Sequence, residues 1–331
     1  MRKLFTIIFC LFMIVGARAQ DIHFSQYFLS PLTLNPAMTG FFDGDYRVIA
    51  NYRNQWSRIY PGLYRTASAS VDASFLKTRL ETDYLGAGIV AYQDWAGSAG
   101  FNTTQVGGSI AYSKGIGFQV KHAIKIGFTG MYTQQSIDLT SPDLIFSGGV
   151  PENFSDNTSQ FDVAAGLLYH TKPKERLNMY VGASVHHILM PSISFFGDND
   201  VTISPKITAH ALALIELGNN FNLIPSIMYM MQADAMQINT GGYVQFILGD
   251  QFESETFFAI GAWTRISRPV PDAVIAGARF DYKSFTAAMS YDVNISEFSG
   301  ATNGRGAFEV ALIYVGNLGP GRYKGLDCPN F

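Results

Sequence analysis

The stretch GRGAFEVALIYVG, Gly304 to Gly316, alternates with a period of two. Phe308, Val310, Leu312 and Tyr314 fall on one side of an extended chain, and Ala307, Glu309, Ala311 and Ile313 on the other. One face is large and apolar throughout. The other is small or mixed and carries a carboxylate. A strand built this way wants hydrocarbon on one side and a polar space on the other.

The pattern repeats along the chain. Fourteen period-two segments bounded by turn residues can be marked, at about 45–55, 65–76, 84–93, 102–113, 120–134, 160–171, 177–188, 205–217, 221–232, 236–249, 256–266, 272–283, 285–296 and 306–316. Some alternate cleanly. Ile124, Ile126 and Phe128 oppose Lys125, Gly127 and Thr129, and Phe161, Val163, Ala165, Leu167 and Tyr169 oppose Asp162, Ala164, Gly166 and His170. Segments 205–217 and 236–249 are apolar on both faces for part of their length.

Strands of a soluble sandwich average about five to six residues. These segments are about twice that, the length a tilted strand needs to cross a bilayer, roughly 9–11 residues. Connectors after even-numbered segments are short, as at 172–176, 218–220 and Ser284, whereas several after odd-numbered segments are long, at roughly 135–159, 189–204 and 297–305. Short turns on one rim and long loops on the other mark an outer-membrane barrel. Closure is required, because an open edge in lipid leaves backbone groups unpaired at several kcal/mol each. Tyr92, Trp95, Tyr132, Tyr169, Tyr229, Trp263, Tyr282 and Tyr314 gather at segment ends, where aromatic girdles sit. The expected fold is an all-β, antiparallel transmembrane barrel of about 14 strands.

The remaining features fit an exported membrane protein. Arg2 and Lys3, an apolar run from Leu4 to Val15, and Ala17-Arg18-Ala19 read as a signal peptide over 1–19, cleaved between Ala19 and Gln20. The run is too short for the roughly 20 residues of a spanning helix. Charged residues make up only 15% of the chain and aromatics 14%, greasy for a soluble secreted protein. A net charge of −3 offers no basic patch, which argues against nucleic acid as a partner. Of the two cysteines only Cys328 survives cleavage, so the fold stands without an internal disulfide. The expected organisation is a leader at 1–19, an amino-terminal periplasmic or plug segment at 20–44, a barrel at 45–316 and a periplasmic tail at 317–331. Within the second piece, Asn35 can cap a helical turn begun by Pro36, and Gly40 can close it.

HFSQYFLSPLTLNPAMTG at 23–40 and YRNQW at 52–56 resemble the amino-terminal signature of the PorP/SprF family of type IX secretion system membrane proteins. GAWTRI at 261–266, GARFDYKSF at 277–285, SYDVNIS at 290–296, GAFEVALIY at 306–314 and the CPNF ending agree with it, while 100–250 matches mainly in pattern. The resemblance implies a non-enzymatic outer-membrane protein of Bacteroidota, without cofactor or metal. It would act in secretion and gliding motility, or anchor a cognate surface adhesin by its carboxy-terminal sorting domain. Implied partners are that adhesin, type IX components, a periplasmic peptidoglycan-binding protein and membrane lipid. The residues carrying the signature are Ser25, Gln26, Asn35, Pro36, Gly40, Arg53, Asn54, Gln55, Trp56, Tyr291, Asp292 and Glu309, in structural or partner-contact roles.

Other chemistries find little support. His186 and His187 are strand neighbours that point apart and cannot share a metal, and with His122, His170 and His210 they read as wall or rim residues. HExxH, CxxC and GxSxG motifs are missing. Lys125, Asp162, Glu216, Arg279, Asp281, Asp292 and Glu309 fall on the lumen phase, balanced in sign, and read as a hydrated charge network. A barrel of 14 strands lies between filled small barrels and open porins. A plug formed by 20–44 would close it, and a passive porin or hydrophobic-solute transporter is the alternative function.

Overall fold

A computed structural model describes residues 21–56, 64–77, 82–117, 121–144, 146, 149–151, 153–197, 201–248, 256–267, 270–296 and 299–318. The leader, its cleavage point at Ala19 and Gln20, and Cys328 lie outside the described residues, as does the tail beyond Leu318.

Fourteen strands follow one another in sequence. The first seven are β1 (Tyr46–Gln55), β2 (Tyr64–Phe75), β3 (Tyr84–Ala96), β4 (Phe101–Ile116), β5 (His122–Ser136), β6 (Asn157–Lys174) and β7 (Leu177–His186). The rest are β8 (Lys206–Glu216), β9 (Phe221–Gln232), β10 (Ala235–Ile247), β11 (Thr256–Ser267), β12 (Val270–Tyr282), β13 (Phe285–Asn294) and β14 (Arg305–Gly316). Each pairs antiparallel with its sequence neighbours, and β1 closes the cylinder against β14 in a register running from Tyr46↔Gly316 to Gln55↔Ala307. Closure leaves no open sheet edge, so the strands satisfy one another's backbone apart from local bulges, as hydrocarbon demands.

The alternation sorts side chains as β14 promised. Phe308 and Leu312 face outward and exposed, while Ala307, Glu309, Ala311 and Ile313 are buried inside. Ile89, Ile110, Phe128, Phe161 and Met289 continue the outer apolar band. Of the charges on the lumen phase, Lys125, Asp162, Arg279, Asp281, Asp292 and Glu309 are buried. Glu216 keeps the phase but is exposed, because it ends β8 at the rim.

The length asymmetry of the connectors rests on three of them: 137–156, 187–205 and 295–304. The same rim also carries the tight connectors 97–100 and 233–234. The opposite rim holds the starts of β1, β3 and β5 and the ends of β2, β4 and β14.

Residues 21–44 contain only single-turn helices, Tyr27–Leu29, Pro31–Leu34 and Pro36–Met38. Asn35 caps the last, its Oδ1 accepting from Ala37 N–H at 2.8 Å. Phe24 and nearly every residue from Tyr27 to Phe42 are buried. Phe28, Leu29, Leu34, Met38 and Phe41 share one apolar cluster with the inward-facing Ile49, Leu168, Tyr180, Leu212, Met228, Tyr243, Trp263 and Ile275. Leu212 and Leu214 give β8 an apolar stretch on both faces, one meeting lipid and the other this cluster. β10 differs from the expectation, because its lumen phase is polar apart from Tyr243, with Gln237, Asn239 and Gln245 buried.

Candidate functional site

Between Gln26 and Phe41 the lumenal segment bonds part of its backbone to itself in single turns, and wall side chains satisfy several of the groups left over. At its centre Glu309 accepts the N–H of Ser25 at 2.7 Å and that of Gln26 at 3.1 Å. Ser25 Oγ donates to Asp292 Oδ2 at 2.7 Å and accepts from Arg53 Nη1 at 2.7 Å. Arg53 also pairs with Glu309 and reaches Asp292 at 3.4 Å. Arg265 Nη1 donates to Asp292 Oδ2 at 2.7 Å, and its Nε pairs with Asp272 at 3.0 Å. The Ser25 carbonyl accepts from Asn239 Nδ2, and Gln26 Oε1 accepts from Tyr243 Oη. Two guanidinium groups and three carboxylates from β1, β11, β12, β13 and β14 thus converge on one dipeptide. Ions are costly to bury unless each finds partners, and a network of this kind sets a register that apolar packing alone leaves loose.

Further along, Asn35 Nδ2 donates to the carbonyls of Leu167 and Ala183 at 3.1 and 3.2 Å and lies 3.0 Å from His210 Nε2. Such close approach needs glycine on the wall. A Cβ on Gly166 would collide with the Asn35 side chain, and one on Gly127 with the Pro36 carbonyl. Gly40 N–H donates to Asp72 Oδ2 at 2.8 Å, and Arg47 joins Asp72 to the carbonyls of Met38 and Phe41. Gly40 has φ of +69°, which turns the chain toward β1.

At the other end, Asp21 meets Lys206 and His187, its N–H donates to Gln232 Oε1 at 2.9 Å, and His187 Nδ1 lies 2.6 Å from Asp162 Oδ2. Burial opposes charge at Asp21, yet the Lys206 ammonium and His187 hold its carboxyl well below the usual carboxylate range. Burial would depress His187 as well, but its bonds to the Asp162 and Asp21 carboxylates prevail and raise it to about 9.

Six of the twelve signature residues, Ser25, Gln26, Arg53, Gln55, Asp292 and Glu309, therefore form one cluster, with Gln55 Oε1 accepting from Arg53 Nη2 at 3.2 Å. Asn35, Pro36 and Gly40 lie lower on the same segment. Asn54 and Tyr291 stay apart on the other phase of their strands, Tyr291 being exposed on the lipid side. Trp56 sits at the rim, edge-to-face with Tyr64 at 5.3 Å and with φ of +54°. Sequence reasoning missed Arg47, Asn51, Asp72, Asn239, Tyr243 and Arg265. Their signal was a polar or charged residue in the lumen phase of a strand. His186 and His187 are both buried, because His187 leaves the strand with φ of +60° rather than continuing to the outer face. Among the described residues no three His, Cys, Asp or Glu side chains come together to hold a metal.

Fold and site define a closed outer-membrane β-barrel whose lumen is occupied by its own amino-terminal segment. The family model of the type IX secretion system membrane protein PorP/SprF matches residues 17–314, and the chain belongs to that family. Among solved structures, the CymD monoaromatic hydrocarbon channel superposes with a TM-score of 0.51 at 10% identity, over 86% of this chain and 91% of its own. The toluene transporter TodX of P. putida gives 0.46 at 10% identity, over 86% and 93%. BamA from Haemophilus ducreyi, lacking POTRA domains 1–3, gives 0.45 at 9%, over 82% and 70%. At such identity the CymD likeness speaks for the fold alone. No curated protein matches the sequence. The chain is thus an outer-membrane protein of the type IX secretion family.

Proposed function

We propose that this barrel is a closed anchor of the type IX system, without enzymatic chemistry, that holds a secreted adhesin by its carboxy-terminal sorting domain at the cell surface. The observation that carries the reading is the ion clamp on Ser25 and Gln26. It fills the lumen with the chain's own residues, leaving the rims as the surfaces available for work. The long connectors 137–156 and 187–205 suit protein contact, and Ser192 and Thr202 already form an isolated antiparallel bridge there. Extended backbone at a rim can accept an added strand. Type IX components, and a peptidoglycan-binding protein on the periplasmic side, complete the proposed set of partners, with gliding as one output. A strain lacking the protein should lose one surface adhesin while other type IX cargo is still exported. Loss of all such export would replace the anchor by a core machine part.

The alternative, passage of a small apolar solute, meets a blind mouth lined largely by polar surface. A cavity of about 240 Å³ opens at the rim of the short turns, lined by Phe28, Phe41, Ile49, Tyr180, Arg279 and Lys283. It stops below the clamp. Purified protein in planar bilayers should therefore be nearly silent, and deletion of 23–40 should open it. Equal conductance before and after deletion would dismiss the plug.

A further inference from the structure

The lumenal segment has a direction. Asp21 lies at the rim of the long connectors, held beside the end of β9, the start of β8 and the residue after β7. Gly40 lies at the opposite rim, bonded to Asp72 near the end of β2. β1 then starts from that same opposite rim at Tyr46, paired with Gly316 and Ala73. The chain therefore enters the lumen at the long-connector rim, descends through the clamp, turns around residues 41–45 and climbs back as β1.

In outer-membrane barrels the long loops face outward and the short turns face the periplasm. We propose that the leading end of the segment lies at the cell-surface rim, held in a clasp formed by Asp162, His187 and Lys206, and that the segment is laid in only after the leader has been removed. The second half rests on the expected leader at 1–19. While attached, its basic start and apolar run hold residue 21 on the inner side of the periplasm. The clasp lies a whole barrel height beyond the periplasmic rim, roughly 25 Å for the ten residues of β1 on a strand tilted by about 40°.

The clasp is tied to the loop that follows it. His187 holds a left-handed φ of +60°, a region in which histidine, like asparagine and aspartate, is enriched. Asp162 fixes it there, accepting from the His187 ring at 2.6 Å and from Leu189 N–H at 3.2 Å. His187 is also the first residue of connector 187–205. The outer end of the lumenal segment and the root of a surface loop are therefore one joined unit, buried just inside the long-connector rim. Nothing in this depends on which partner the barrel serves.

The test uses the full chain in its own outer membrane, with assembly verified by heat-modifiable migration. A short epitope is inserted between Gln20 and Asp21, at Val150 as the outer control, and between Lys283 and Ser284 as the inner control. Intact cells should stain for the first two, and for the third only after the outer membrane is permeabilised. Staining of the Gln20 insertion only after permeabilisation overturns the direction. Should that insertion prevent assembly, Ile22→Cys in a Cys328→Ser background, probed with an impermeant maleimide, repeats the comparison. It should be modified on intact cells, and several-fold faster once His187→Asn loosens the clasp. No modification of the loosened variant on intact cells overturns the proposal equally. A leader made uncleavable by Ala19→Leu should leave residues 21–44 open to protease from the periplasm, and protection equal to wild type refutes the required order.

Discussion

Glu309 shows how much one carboxylate can organise. It takes two backbone N–H groups and an arginine on its two oxygens, inside a wall whose outer face dissolves in lipid. Removing one partner of a buried pair leaves the other unsatisfied, at about 3–5 kcal/mol. Glu309→Ala should therefore loosen the lumenal segment by that order, read as cleavage of 21–44 by added protease with the barrel band intact. Replacing both members, Arg53→Met with Glu309→Leu, should restore part of the loss. His187 provides a pH-dependent counterpart. Its value is raised from 6.5 to about 9, so the clasp stabilises fully below 6.5 and weakens as pH climbs through 9. The melting temperature of the detergent-held barrel should fall across that window. In His187→Asn this fall should shrink, and an unchanged profile would remove the clasp as its source.

The lumenal segment is an element without regular structure of its own, made possible by the elements around it. Gly127 and Gly166 lie in strands where any side chain would strike Pro36 or Asn35. Overpacking of such a contact costs about 1–3 kcal/mol. Gly166→Val should thus push the segment out and raise its protease sensitivity, whereas Gly108→Val, with open space at that position, should be neutral in the same assay. All fourteen strands were legible, because period two with a lipid-facing phase leaves a signal that turns cannot mask. The course of residues 21–44 was legible only as a cap at Asn35 and a turn at Gly40, since no periodicity governs a chain whose partners are wall side chains. Half the clamp was readable through the signature residues. The other half, Arg265, Asp272 and Asn239, lies on the consecutive strands β10 to β12, and its role emerges only when Ser25 of the lumenal segment is set against them. Leu212 and Leu214 in the lumen phase of β8 were the overlooked hint that something fills the barrel.

At the scale of the molecule two solvents and one interior meet in a single wall. Ile110 lies 63% exposed near the middle of β4, where hydrocarbon is its environment. Ile110→Arg should cost about 2–4 kcal/mol in a bilayer, measured as a lower urea midpoint in vesicles. An unchanged midpoint would mean that this band is not immersed.

The bond between Ser25 and Glu309 joins positions 284 residues apart. The wall, apart from the β1–β14 seam, pairs strands that are neighbours in sequence. Contacts of such long range are made late, since the entropy of loop closure must be met before they return anything. The piece of the chain that leaves the ribosome first is therefore the last to find its place. During that interval the half-finished cylinder is hollow, and only the joining of β14 to β1 brings both jaws of the clamp within reach of the waiting thread.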